Sequence, residues 1–307
     1  MQKEFEYHYH STESSHWWFV GRRQAVQDLM VKARIGRESR ILEVGCSGGL
    51  LMEQLRRAGF GQVQGIDISD DAIELCREKG LSAQVMDAQK LDFADASFDL
   101  VTASDVLEHL ADDAGALREW RRVLRPGGIL LVFVPAFRFL WTAHDTANGH
   151  LRRYHMSELR TRMREAGFSV ERSSYWNTFL FLPITLVRLA RLLVTSRDLR
   201  PIGGHGDLFM PPRAINQALL ALVRFENLLF RLGVSWPLGV SAVVQGRNPN
   251  APSTTAAMYR PTDGQHGRDA EHLGHTRDTA GAAHSLQGTI GRQPCSLLAR
   301  CRDNCRS

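Results

Sequence analysis

Three acidic residues, Glu43, Asp67 and Asp87, stand at or just beyond the ends of short apolar runs, in the order expected of carboxylates at the ends of successive strands. Such runs suit a parallel sheet buried on both faces. Acids at their ends share one rim, where open α/β sheets bind ligands. There Asp67 is placed to accept hydrogen bonds from both hydroxyls of a ribose. Asp87, with the backbone N–H of Ala88, could read an adenine edge. Glu43 lies below the glycine-rich turn Gly45-Cys46-Ser47-Gly48-Gly49. Its expected role is to hold that turn or, through water, a ligand's ammonium group. Glycine is needed where backbone turns sharply and approaches a ligand closely. A helix from about Leu50 would aim unpaired N–H groups into the turn. Any one of these acids could be a solvated loop acid or a helix cap; the ordered set is harder to reach by accident.

A second group of reactive side chains follows the fifth strand: His144-Asp145-Thr146-Ala147-Asn148-Gly149-His150-Leu151-Arg152-Arg153-Tyr154. Either His144 or His150 could serve as a base, with Asp145 orienting it. Arg152 and Arg153 could grip a phosphate or carboxylate, with Tyr154 beside them as a substrate contact. The plain alternative is a surface loop leading into a helix capped by Ser157. His109, in Asp105-Val106-Leu107-Glu108-His109, is a further candidate base. Helical spacing would put Asp105, Glu108 and His109 on one face.

The positioning elements alternate. Strands are expected over Ile41–Val44, Val63–Ile68, Ala83–Met86, Phe98–Ala103, Ile129–Val134, Phe168–Tyr175 and Ser241–Gln245. Helices are expected over Ala25–Val31, Leu50–Ala58, Asp70–Lys79 (N-capped by Ser69), Asp112–Leu124 and Met156–Ala166. Arg125-Pro126-Gly127-Gly128 reads as a helix stop and turn. The fold class is α/β: a doubly wound, mostly parallel seven-stranded sheet with an inserted apolar helical cap. The chain divides into an N-terminal helical segment covering the site (1–35), a core (36–175), the helical insertion (176–240), the last strand (241–247) and a disordered tail (248–307). Within the insertion, Thr185, Arg188, Arg191 and Thr195 form one narrow stripe. Asn216, Gln217, Arg224, Asn227 and Arg231 form the polar face of the next helix. Such helices suit either a membrane interface or a cap whose apolar faces pack on each other and on the sheet.

The 307 residues are 43% hydrophobic, enough for a core, and carry a net charge of +5. No basic run interleaved with aromatics argues for nucleic acid. The N-terminal residues lack the apolar stretch of a secretory signal. Cys46, Cys76, Cys295, Cys301 and Cys305 match no zinc or disulfide framework. The expected location is the cytoplasm, peripheral at the inner face of the membrane if the interface reading of the helices holds.

The order Glu43-Val44-Gly45-Cys46-Ser47-Gly48-Gly49, Gly65-Ile66-Asp67-Ile68-Ser69, Met86-Asp87-Ala88, Phe98-Asp99-Leu100-Val101, Ser104-Asp105-Val106-Leu107-Glu108-His109-Leu110 and Leu124-Arg125-Pro126-Gly127-Gly128 resembles the class I S-adenosylmethionine-dependent methyltransferases, most of all the small-molecule type 11/12 branch. The resemblance covers roughly residues 35–175 and the last strand. It implies S-adenosylmethionine as cofactor, with Gly45, Ser47 and Gly49 flanking its methionine part, Asp67 on ribose, Asp87 and Ala88 on adenine, and Ser104 near the sulfonium. Ser47 departs from the glycine common there, and is tolerated if its φ stays negative. By similarity to quinone-ring O-methyltransferases, Asp105, Glu108 and His109 could hold a divalent metal; a capped loop with a packed histidine is the preferred reading, and no metal is assigned. The implied function is O- or N-methylation of a small acceptor, amphiphilic or lipid-linked. The alternative is a non-catalytic protein of the same fold docking on a membrane or partner. A dinucleotide oxidoreductase fits less well, because the glycines do not follow G-x-G-x-x-G.

Overall fold

The computed structural model describes residues 12–194 and 210–249. Strands β1 (Ile41–Val44), β2 (Val63–Asp67), β3 (Ser82–Val85), β4 (Phe98–Ser104), β5 (Leu124–Pro135), β6 (Ser169–Trp176) and β7 (Ser241–Arg247) form one sheet in the order β3-β2-β1-β4-β5-β7-β6. Neighbours from β3 to β5 pair in parallel. Only β7 runs against its neighbours β5 and β6. The strand order reverses between β1 and β4, so the crevice beyond their C-terminal ends is the switch point where such sheets bind ligands.

Side chains alternate across a strand, and both faces here are apolar. Leu130, Val132 and Val134 of β5 face one core, shared with Leu117 and Trp120 of α4 (Asp113–Val123) and Leu159 and Met163 of α6 (Met156–Glu165). Ile129, Leu131 and Phe133 face the other, shared with Leu29 and Met30 of α1 (Trp17–Lys32) and Leu220, Val223 and Phe230 of α8 (Arg213–Leu232). The remaining helices are α2 (Leu50–Arg57), α3 (Asp70–Glu78), α5 (Ala143–Ala147) and α7 (Phe181–Val194).

Several boundaries differ from the sequence reading, each for a tertiary reason. Helix α1 begins at Trp17 rather than Ala25, because Asn216 of α8 accepts from Trp17 N at 3.0 Å and His16 accepts from Trp18 N. Strand β5 starts at Leu124, and Arg125-Pro126-Gly127-Gly128 lies inside it. Proline is tolerated in a strand at an irregularity, and the β4–β5 register shifts between Phe98 and Leu100. Asn248, read as the start of the tail, is buried and donates to Leu124 O at 2.8 Å. The rest of that tail, from residue 250, lies outside the described residues.

The two apolar helices also correct the expectation. In α8, Asn216 and Asn227 point inward: Asn227 accepts from Trp176 Nε1 at 2.8 Å and donates to Gly21 O at 2.9 Å. In α7, Thr185 Oγ1 is buried and Arg188 donates to Leu140 O. Asn216, Asn227 and Arg188 therefore satisfy donors and acceptors of the protein, while Leu182, Leu186, Val187, Ile215, Phe225, Leu228 and Leu232 face out. The expected roles of Arg191 and Thr195 lie outside the described side chains.

Candidate active site

The glycine-rich turn forms because β1 must leave the sheet and enter α2 within a few residues. Gly45 and Gly49 sit at φ 72° and 74°. A Cβ at Gly45 would meet Val106 Cγ2 at 2.4 Å, so only glycine fits. Ser47 corrects the sequence reading: its φ is 48°, in the left-handed region. Hydrogen bonds offset that conformation, since Ser47 N donates to Asp67 Oδ2 at 2.9 Å and Ser47 Oγ to Glu13 Oε2 at 3.1 Å. Gly49 caps α2 without a side-chain acceptor, leaving its first-turn N–H groups for a ligand.

Asp67 ends β2 with each carboxylate oxygen accepting one backbone N–H, from Ser47 and from Ser69 at 3.0 Å. A carboxylate oxygen has a second lone pair, so both still have capacity for a ribose. Asp87 is exposed beyond β3 and braces its loop by accepting from Gln89 N at 2.8 Å. Trp120 Nε1 holds Ala88 O at 2.9 Å. Glu43 pairs across the sheet with Thr102. Burial raises the Glu43 carboxyl well above its usual range, with the Glu13 charge adding to the effect. Glu43 Oε2, Thr102 Oγ1 and Ser104 Oγ are all buried without a hydrogen-bond partner. Orphaned buried groups of this kind call for a missing partner, and these cluster at the ends of β1 and β4. The set fits a cationic, hydroxyl-rich ligand such as S-adenosylmethionine.

The residues beyond β4 are a three-residue 3₁₀ turn, Leu107–His109, preceded by Asp105 at φ 56°. Asp105, Glu108 and His109 therefore do not share a helical face. Asp105 turns instead to Arg22 of α1, at 2.7 Å. Arg22 itself is buried between the rings of Trp18, Phe133 and Trp176, each within 5.1 Å of its guanidinium.

The loop after β5 supplies the third member that sequence spacing missed. Glu108, His109 and His150 bring their ligand atoms within 4.8 Å of one another. Both carboxylate oxygens of Glu108 are buried without a hydrogen-bond partner. Burial, then the nearby Asp105 charge, raises its carboxyl well above the usual range. His109 is pushed down to about 4, by burial and then by His150.

Of the two histidines offered as base, the structure joins one to Asp145. His150 Nδ1 lies 2.8 Å from Asp145 Oδ1. His144 bonds Asn148 across one turn of α5 instead. Asp145 is fully buried and closes a capping box with Thr142. Burial alone would raise its carboxyl, but hydrogen bonds from His150 and Arg153 hold it below the usual carboxylate range.

Arg152, Arg153 and Tyr154, expected as a substrate grip, are engaged within the protein. Arg153 is buried and spans both oxygens of Asp145, at 2.7 and 2.9 Å. Arg152 pairs with Asp113 at 2.9 Å. Tyr154 is completely buried and donates to the same Asp113 at 2.9 Å. The physical reason is local neutrality: two buried acids need cations and donors, and these three residues supply them. Glu13, Arg22 and Asp113 were missed. Nothing in their spacing marks them, because the partners Asp105 of Arg22, Ser47 of Glu13 and Tyr154 of Asp113 are at least 34 residues away along the chain.

The family model described as a methyltransferase domain matches residues 42–132. A ubiquinone biosynthesis O-methyltransferase of Xanthomonas oryzae pv. oryzae is 36% identical over 101 residues, which is 31% of this chain and 42% of that protein. The 27-O-demethylrifamycin SV methyltransferase of Amycolatopsis mediterranei is 31% identical over 158 residues, 46% of this chain and 57% of that one. The chain thus spans about two fifths to three fifths of the length of these curated relatives. A methyltransferase solved in complex with the Haloferax volcanii Trm112 methyltransferase activator shares the fold. Its TM-score is 0.54 at 18% identity, covering 81% of this chain and 96% of that one. Residues 42–132 thus match a methyltransferase domain, and the sheet order with its switch point is the fold shared with that solved structure.

Proposed function

We propose that the chain transfers the methyl group of S-adenosylmethionine to an oxygen of a small amphiphilic acceptor, with His150 as general base. The observation that carries this reading is the hydrogen bond between Asp145 and His150 beside the switch point. The sulfonium supplies an already activated methyl electrophile. The residues need only align the acceptor and take its proton. Asp145 accepts from Nδ1–H of His150, which leaves Nε2 as the ring's proton acceptor. His150 Nε2 would take the hydroxyl proton, and the bound cofactor would supply the methyl group, its C–S bond giving way to the new C–O bond. Neutral His109 packs edge-on against His150, ring centroids 4.6 Å apart, and fixes its plane. Asp67, Asp87 and Ala88 hold the nucleoside, while Gly45, Ser47, Gly49 and Ser104 surround the methionine arm.

The orphaned Glu108 carboxylate, with His109 and His150, also fits a divalent cation. Such an ion would lower the pKa of an acceptor hydroxyl, and His150 would then be its ligand rather than the base. Dialysis against a chelator distinguishes the two: activity that survives supports the Asp145–His150 dyad.

The acceptor's apolar part is read from Phe139, Trp141 and Leu151, exposed around the His150 loop, and from Leu182, Leu186 and Val187 on α7. Phe181 joins the two groups through Phe139, centroids 6.3 Å apart. An exposed apolar patch beside a polar site suits a lipid tail or membrane surface. No helix among the described residues is long and apolar enough to cross a membrane. The test is incubation with radiolabelled cofactor and fractionated extract. Label in the organic phase is expected; label only in the aqueous phase would remove the amphiphile.

A further inference from the structure

We propose that Glu13, from the segment ahead of α1, binds the α-ammonium group of the cofactor. The inference deepens the methyltransferase reading and rests on it.

Glu13 is 8% exposed and reaches the glycine-rich turn, where its Oε2 accepts from Ser47 Oγ at 3.1 Å. Its position is set from far along the chain. Trp17 N donates to Asn216 Oδ1 at 3.0 Å, and Asn216 Nδ2 donates to Ser15 O at 2.9 Å, so α8 pins the turn that carries Glu13. Ser15 N and His16 N close that turn on Thr12 O. Arg23 fixes Glu13 from the other side: its Nη2 donates to Glu13 O at 3.0 Å, and its Nη1 lies 3.8 Å from Oε1.

Three carboxyl groups, from Glu13, Glu43 and Asp67, thus converge on one turn. Arg23 faces this group from one side, and three like charges at close range favour a further cation. Burial, and next the Glu13 charge, raises the Glu43 carboxyl well above its usual range. Glu43 Oε2 remains buried without a partner. A ligand whose amino-acid arm ends at this turn brings a positive ammonium to the place where negative charge is concentrated. Charge-assisted hydrogen bonds from ammonium to carboxylate are among the stronger polar contacts. Asp67 and Glu13 approach Ser47 from different groups, its backbone N–H and its hydroxyl, so with Asp67 on the ribose Glu13 is left for the amino-acid arm.

Three nucleosides separate the possibilities in calorimetric titrations of the full chain. S-adenosylmethionine carries both ammonium and carboxylate. Decarboxylated S-adenosylmethionine keeps the ammonium alone. Methylthioadenosine lacks the whole arm. Glu13→Gln is expected to weaken the first two by about tenfold or more, the loss of a hydrogen bond to a charged group, and to leave methylthioadenosine unchanged. Asn216→Ala, which releases the turn from α8, is expected to give the same selective pattern if Glu13→Gln does not fold. Equal affinity of variant and unaltered chain for S-adenosylmethionine overturns the assignment. Equal weakening of all three nucleosides also overturns it. If the unaltered chain binds none of them, the reading of the cofactor site itself falls; if it binds them and the variant does not discriminate, only the role of Glu13 falls.

Discussion

The cofactor rim and the acceptor loop are both rich in charge, but they handle it in opposite ways. On the rim, Glu43, Asp67 and Ser104 keep unfilled hydrogen-bonding capacity. In the loop after β5, Asp145 is matched by Arg153 and His150, and Asp113 by Arg152, Arg162 and Tyr154. The rim is built to be completed by a ligand. The loop is already complete, and so its arginines act as scaffold for one histidine. A count of charged residues cannot separate the two cases; the pairing does.

The largest effect that could break this contrast concerns His150. Its replacement by alanine is expected to lower kcat by about 10²–10⁴-fold, the usual contribution of a general base, with cofactor affinity unchanged by titration. An unchanged kcat would leave the loop with no chemical role. Next is Asp145→Asn. It leaves buried Arg153 without its counter-charge, and breaking a buried pair from one side costs about 3–5 kcal/mol, measurable by denaturant unfolding. Should stability hold, the loop is not the self-neutralised unit described above.

On the rim, Asp67→Ala is expected to weaken S-adenosylmethionine binding by about 10–100-fold, by removing acceptors for the ribose hydroxyls. Unchanged affinity would sink the cofactor site. A pH titration of stability sharpens the comparison at the junction of the two regions. His109 is pushed down to about 4 in the folded chain from 6.5. The unfolded chain therefore binds a proton that the folded one refuses between those values, and stability should fall as pH drops from about 6.5 toward 4. His109→Gln should remove that component from an acid-unfolding series. The smallest effect expected is for Arg152→Ala. Arg152 is partly exposed and shares Asp113 with Arg162 and Tyr154. Its loss should cost about 1 kcal/mol or less and leave the acceptor KM unmoved. A large rise in KM would restore it as a substrate contact.

Much of the rim was legible in the order of residues because it is local. A strand, an acid at its end and a glycine turn are set by neighbours a few positions apart, and their repetition fixed the α/β class and the parallel core. The register of Glu43 beside Thr102 follows from that core. The backbone at Ser47 was misjudged, because its left-handed φ is held by Asp67 and Glu13, twenty and thirty-four residues away. Helices α7 and α8 show the same limit. Their polar stripes looked like solvated faces, since hydropathy assigns polar residues to water. Buried Trp176 and the Gly21 carbonyl needed partners, and Asn227 turned inward to meet them.

Chain order alone settled where the strand-end acids fall and why glycine stands at Gly45 and Gly49: short-range sterics leave few other solutions. Packing alone settled which histidine meets Asp145, which arginines are spoken for, and that Glu13 reaches the turn at Ser47. Those contacts depend on where a long loop or a distant helix comes to rest, and that is set by the whole core rather than by any stretch of sequence.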